Sequence, residues 1–239
     1  MIVSAMWRFP VKSMGGQLIS ESEINDVGLV GDRGWGVVDT ATGHVLTARR
    51  EPRLLFATAE LTPAGELLIS LPDGSRVDAG GSEALSRWLD RPVSLERAGD
   101  VGGVYEVPLD AEQEADWISW QGPPRAWHDT DRARVSLVST ASIGAWDARR
   151  FRANVLLDGG GEDALVGATI RIGTATLDVV KEIERCVMVN RAQPGVEADQ
   201  EVLRVINRER ENCLAIGARV RDPGVIAEGD ALEVLASGG

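Results

Sequence analysis

Short runs of alternating apolar and polar residues, punctuated by glycine and proline, dominate this chain and predict strands more than helices. Residues 2–9 read as a first strand, stopped by Pro10. Another begins at Trp35, and 56–61 and 66–71 flank the turn sequence Thr62-Pro-Ala-Gly65. Further strands are predicted at 93–96, 133–138, 155–157, 168–172, 175–180, 213–220 and 231–235. Two stretches carry helical spacing instead: Leu85, Trp88 and Leu89 in 82–89, and Val202, Leu203 and Ile206 in 199–208. Ser142 is placed to cap a third helix after 133–138. Between 98 and 134 the pattern weakens. Asp110, Glu112, Glu114 and Asp116 mark loops there, and Trp117, Trp120 and Trp127 are expected to pack between two units. The expectation is an α+β, β-rich chain with a unit at 1–97, a connecting segment at 98–130 and a second unit at 131–236.

The stretch 178–189 departs from an ordinary strand. In extended geometry Val180, Glu182, Glu184 and Cys186 share one face, which suits a buried strand poorly, so the segment is expected to leave its sheet near Glu182. It ends on Arg185-Cys186. A deprotonated thiol is a soft metal ligand, and a neighbouring guanidinium favours the thiolate and binds anions. A buried free cysteine fits the same residue. Cys213, in an apolar strand, reads as a core residue.

Charge sharpens the picture. The 239 residues carry a net charge of −12, which argues against binding to nucleic acid or to an anionic membrane surface. No segment reads as a signal peptide or a membrane span, and two cysteines fit a reducing cytoplasm. Against that acidity, Lys12, Arg33, Arg49, Arg152 and Arg185 all fall at predicted strand ends. If they converge, they form an anion pocket beside one thiol. Lys12 and Ser13 precede two glycines, either as a plain turn or as a loop that lets backbone approach a ligand. Ser139 and Ser142, at a strand-to-helix turn, serve either as caps or as an anion site. Arg152 and Asn154 stand at the entry to 155–157, on one face. Two histidines exclude a multi-histidine metal site, and no phosphate-binding or dinucleotide loop is present.

Several motifs occur in order. Phe9-Pro-Val-Lys-Ser13, Gly28-Leu-Val-Gly-Asp-Arg-Gly-Trp35, Thr47-Ala-Arg-Arg-Glu-Pro-Arg-Leu-Leu55 and Glu83-Ala-Leu-Ser-Arg-Trp-Leu-Asp-Arg-Pro-Val93 resemble the N-terminal β-barrel of MOSC proteins. MOSC denotes the C-terminal domain of molybdenum-cofactor sulfurases. Ser139-Thr-Ala-Ser-Ile143, Arg150-Phe-Arg-Ala-Asn-Val155, Glu184-Arg-Cys-Val-Met188 and Gly224-Val-Ile-Ala-Glu-Gly-Asp230 resemble the MOSC domain itself. The functional class it is most similar to is the amidoxime-reducing component and its bacterial relatives. The resemblance implies a barrel unit packed on a MOSC barrel-like domain with a few short helices. It implies a cytoplasmic oxidoreductase that reduces small N-hydroxylated compounds at a molybdenum cofactor (Mo-molybdopterin). Cys186 would be the catalytic residue and the metal ligand. Lys12, Ser13, Arg33, Arg152, Asn154 and Arg185 would hold the pterin and its phosphate, helped by Ser139 and Ser142. Electrons would come from separate proteins, a flavoprotein with an iron–sulfur or haem carrier. Two alternatives keep the thiol: sulfur transfer through a Cys186 persulfide, and non-catalytic cofactor binding. Where relatives often have Pro before the Asn, this chain has Ala153, and 187–195 also departs from their usual sequence.

Overall fold

The computed structural model describes residues 1–110 and 115–237. Its centre is a curled, half-barrel sheet of eight strands. In spatial order these are Leu232–Ala236, Thr169–Ile172, Ala175–Glu184, Cys213–Asp222, Val135–Ser139, Val155–Leu157, Val3–Arg8 and Gln17–Ile19. The first strand of the chain therefore pairs with one roughly 150 residues later: Ser4 Oγ donates to the Leu156 carbonyl across 152 positions. Glu21–Asn25 likewise pairs with Gly224–Ala227. Val135–Ser139 and Val155–Leu157 run parallel, so the loop between them crosses over and returns to the same sheet end. One face of this sheet buries Val3, Met6, Leu137, Val155, Ile170 and Ile216.

Smaller sheets, Trp35–Asp39 with Val93–Arg97 and Thr58–Leu61 with Leu67–Ser70 and Arg76–Val77, enclose a second core around Val11, Met14, Leu54 and Ile69. The helix Ser82–Leu89 closes it, burying Leu85 and Leu89 with Trp88 packed alongside. Its apolar spacing and the stop at Pro92 had predicted those bounds. A third core, under the helix Glu201–Arg210, joins Val202 and Ile206 to Phe151, Val189 and Leu214.

Several expectations change. Residues 98–134 are not all loop: Val104–Asp110 and Ala115–Gln121 form an antiparallel ribbon, while Glu112 and Glu114 lie outside the described residues. Trp127 is buried as expected, edge-on to Tyr105, but Trp120 is half exposed on the ribbon. The strand Ala175–Glu184 does not leave the sheet at Glu182. Its register against Cys213–Asp222 is irregular between Val179 and Lys181 and again between Glu182 and Glu184, but the alternation runs on, and both glutamates lie on the solvent face. Residues 52–56 are a 3-10 turn, so that strand starts at Thr58. Cys213 is half-buried rather than a core residue, because it opens its strand directly after the left-handed Glu211 and Asn212.

Candidate functional site

Four loops, 9–14, 32–35, 126–129 and 150–154, are tied together by hydrogen bonds into one cationic cluster, the candidate crevice. Phe9 organises it. Its N–H donates to Asp32 Oδ1 at 2.7 Å and its carbonyl accepts from Arg33 N at 2.7 Å, which locks two loops together. Its ring lies against two guanidinium groups, Arg152 at 4.4 Å and Arg33 at 5.2 Å from the ring centre. A π face stabilises such cations while leaving their N–H edges free to donate. Arg33 is further clamped by the fully buried Asp32 and donates from Nη2 to the Arg152 carbonyl at 3.3 Å. Arg33 and Arg152 both have left-handed backbone, φ +51° and +52°. Arg152 is therefore not part of the following strand, and its side chain does not follow Asn154 onto one face. It donates from Nη1 to the Met14 carbonyl at 2.5 Å.

Lys12 is buried beneath the same crevice. Its ammonium donates to the Trp127 carbonyl at 3.0 Å and to Asp129 Oδ1 at 2.6 Å, and it lies 4.4 Å from the Tyr105 ring centre. Burial lowers its pKa, Asp129 works against that, and Arg33 and Arg152 add to the lowering. Burial, and then the charge of Arg33, pulls Arg152 down to about 9. Arg185 falls to about 10 through burial. Guanidinium stays protonated in proteins. These shifts therefore register positive charge that the protein compensates incompletely. Among the described residues Asp32 and Asp129 neutralise Arg33 and Lys12, while Arg152 and Arg185 have no carboxylate partner.

Arg185 carries the clearest opening. Its Nε donates to the Leu214 carbonyl at 2.6 Å and its Nη1 to the Phe151 carbonyl at 2.9 Å. Its Nη2 is buried with no partner. An unpaired buried donor on a cation is costly unless an acceptor completes it. Cys186 follows at once, half-buried, and starts the 3-10 turn Val187–Asn190. That turn is tied down on both sides: Arg150 Nη1 donates to the Val189 carbonyl at 3.1 Å, and Arg191 Nη1 to the Ala48 carbonyl at 2.6 Å.

The other predicted residues do different work. Ser13 Oγ accepts from Ala48 N at 2.9 Å, fixing the 47–50 turn over the crevice. Asn154 is buried in the frame. Its Oδ1 accepts from Ser136 Oγ at 3.0 Å and Ser136 N at 3.2 Å, and its Nδ2 donates to the Trp7 carbonyl at 3.3 Å. Ser139, not Ser142, is the helix cap: its Oγ accepts from Ser142 N at 3.1 Å, and the helix Thr140–Ile143 is one turn long. Both serines face Glu162, which accepts from Ser139 N at 3.1 Å, so a carboxylate already fills that anion-binding position. Arg50, next to Arg49, pairs with Glu106 and lies 4.5 Å from the Trp117 ring centre, serving the ribbon. Phe9, His128 and Asp129 also belong to the crevice although sequence reasoning did not single them out as site residues, and Trp127, expected only to pack, lends its carbonyl to Lys12. His128, buried beside Asp129, meets the Val27 carbonyl at 3.2 Å.

Among the described residues no group of three or more His, Cys, Asp or Glu side chains could hold a metal ion. A metal at Cys186 would need its other ligands from a cofactor. Likewise no described helix is long and apolar enough to cross a membrane.

Comparison with known proteins gives two family matches. The MOSC N-terminal beta barrel domain matches residues 1–96, and the MOSC domain matches 124–233. Rat mitochondrial amidoxime reducing component 2 is 46% identical over 63 residues, 25% of this chain and 18% of that protein. Human mitochondrial amidoxime-reducing component 1 is 40% identical over 70 residues, 28% of this chain and 20% of that protein. The alignments thus span about a fifth of these relatives' length. The crystal structure of the YuaD protein from Bacillus subtilis aligns with 98% of this chain and 94% of its own, at 13% identity and a TM-score of 0.49.

Proposed function

The chain belongs to the MOSC-domain proteins and carries both the N-terminal barrel and the MOSC domain, and from that premise we propose that it is a molybdenum-cofactor oxidoreductase that reduces N-hydroxylated compounds. One observation carries the reading. Arg185, with an orphaned buried N–H, lies near two half-buried thiols, of which Cys186 opens a turn anchored on both sides, and its Nη1 reaches the Phe151 carbonyl, next in the chain to Arg152 in a cluster whose cations outnumber their carboxylate partners. That donor set suits a ligand that brings its own metal chelator and an anionic group. It does not suit a bare metal ion, which a single thiolate holds weakly.

When bound, the cofactor would supply a two-electron redox centre and a Lewis acid. The rest is the protein's work. The Cys186 thiolate would be the one protein ligand of the metal, held by a turn anchored at Val189 and Arg191. Arg185 would complete its free Nη2 hydrogen bond with a ligand oxygen. Arg152 and Arg33, presented edge-on by the Phe9 ring, would donate to a phosphate, and Lys12 would add a third cation from below. Asp129, exposed at the mouth, is placed to accept from an N–H of a bound heterocycle or substrate. Ser13 and Asn154 hold loops in register rather than touching the ligand, and Ser139 and Ser142 stay committed to Glu162. Small N-hydroxylated substrates would enter through the same mouth, and electrons would come from a separate protein.

The test is metal analysis of protein purified from a host that makes the cofactor. Molybdenum with a pterin is expected, lost in Cys186→Ser and kept in Cys213→Ser. Equal molybdenum in folded Cys186→Ser would sink the assignment. Stoichiometric cyanide-releasable sulfur at Cys186, with no turnover of any N-hydroxylated compound under reduced viologen, would instead establish sulfur transfer.

A further inference from the structure

The ribbon formed by Val104–Asp110 and Ala115–Gln121 has an apolar face that is covered at its base, at Tyr105, and exposed beyond it at Trp120, Ile118 and Leu109 among the described residues. Cross-strand partners in an antiparallel pair share a face. Tyr105 stands opposite Trp120 and Val107 opposite Ile118, and Leu109 continues the same alternation. Tyr105 is buried at the base, whereas Trp120, Ile118 and Leu109 are 50%, 44% and 69% exposed. Contiguous exposed apolar surface of this kind marks an interaction site more often than a solvated strand. The stripe also starts at the crevice: Trp120 Nε1 donates to the Asp129 carbonyl at 3.3 Å, and Asp129 bridges to Lys12. A body resting on this face would lie beside the mouth of the candidate site.

We propose that this ribbon face is the docking surface for a separate electron-donor protein whose contact patch is apolar at its centre and cationic at its rim. This rests on the reductase reading above, which needs electrons from outside the chain. Size favours a protein over a small substrate. From Tyr105 to Leu109 the stripe runs about 13 Å at ~3.3 Å per residue, away from the mouth, farther than a small N-hydroxylated molecule held at the site would reach. Charge favours a basic partner over a second copy. Asp129, its side chain 88% exposed, stands at the base, and the exposed Asp116 lies near the far end of the second strand, in a chain of net charge −12. Two such faces would bring acidic ends together, whereas a basic rim would be steered to them.

The experiment uses the full molybdenum-loaded chain, the double variant Leu109→Ser/Ile118→Ser, and an amidoxime substrate. Electrons come either from reduced methyl viologen or from purified protein carriers, a flavoprotein with a [2Fe–2S] ferredoxin and a flavoprotein with a small haem protein. Viologen-driven turnover should be the same in parent and variant. Carrier-driven kcat/KM should fall on the order of tenfold in the variant, the effect of losing a little over one kilocalorie of interface contact. It should also fall with added salt in the parent. No viologen turnover in the parent would defeat the reductase reading itself. Viologen turnover without any carrier-driven turnover, or carrier-driven turnover unchanged in the variant, would overturn the docking surface alone. A parent that is dimeric by light scattering and becomes monomeric in the variant would assign the face to a second copy instead.

Discussion

His128 should make this protein acid-sensitive well above the range where carboxylates protonate. It is buried, and burial, followed by the repulsion of Arg33, holds its pKa down at about 3. It accordingly stays neutral in the folded protein, with Nε2–H donating to the Val27 carbonyl. In the unfolded chain a histidine takes up its proton near pH 6.5. Between those values the unfolded state binds more protons, so stability is complete above about pH 6.5 and declines as pH falls toward 3. The slope approaches ~1.4 kcal/mol per pH unit below about pH 5.5, and lowering pH from 6.5 to 4.5 should cost about 2.3 kcal/mol. That is a large part of a typical 5–15 kcal/mol. Urea unfolding at pH 7.0, 6.0, 5.0 and 4.5 measures it, with His128→Gln as the control that keeps an N–H donor and loses the titration. The parent should lose stability across this window and the variant much less. Equal slopes in the two proteins would refute the reasoning, because the proton uptake would then belong to other groups.

Inorganic phosphate should raise the melting temperature of cofactor-free protein, by about 1.4 kcal/mol of stability at ten times its dissociation constant. Arg152→Ala and Arg185→Ala should each weaken that protection; full protection in both, read by differential scanning fluorimetry, would make these arginines purely structural. Asn154→Ala leaves Ser136 and the Trp7 carbonyl without their partner and should cost about 2–4 kcal/mol. Chemical denaturation showing less than ~1 kcal/mol would mean that water replaces the side chain. Gly103→Ala would place a Cβ 1.9 Å from the Trp127 ring, where a buried indole has no room to retreat. A loss of about 1–3 kcal/mol is expected, and an unchanged melting temperature would contradict the packing described at the ribbon base.

What the sequence disclosed depended on how local the cause was. The helix Ser82–Leu89 was legible to the residue because its apolar stripe and Pro92 lie close together in the chain. The ribbon was not, since its outer half exposes both polar and apolar residues and its acids look like loop markers. The length of Ala175–Glu184 was hidden because Glu182 and Glu184 were read against a strand buried on both faces, whereas their face of the sheet is open to solvent. Lys12, Arg33 and Arg152 could be suggested as an anion pocket only on the condition that they converge, and the fold brings them together. Asp129 was invisible as their neighbour because it reaches Lys12 from 117 positions away. Ser142 was a reasonable cap by residue type, but the helix begins three residues earlier, and only backbone geometry shows that Ser139 holds the capping position.

The pairing of the chain's opening strand with Val155–Leu157 sets a timetable for biosynthesis. At ~5–20 residues per second, a ribosome needs roughly 8–30 seconds to make the 152 residues that separate Ser4 from its partner Leu156. Gly224–Ala227, which covers Glu21–Asn25, follows later still. Throughout that interval Val3–Arg8 has only its local partner Gln17–Ile19 and one open edge, with Met6 waiting for a core that does not yet exist. Nascent chains halted before about residue 160 should therefore be strong clients of chaperones that hold exposed strands. Those released after residue 230 should not, and arrested-chain pulldowns at the two lengths would separate the cases.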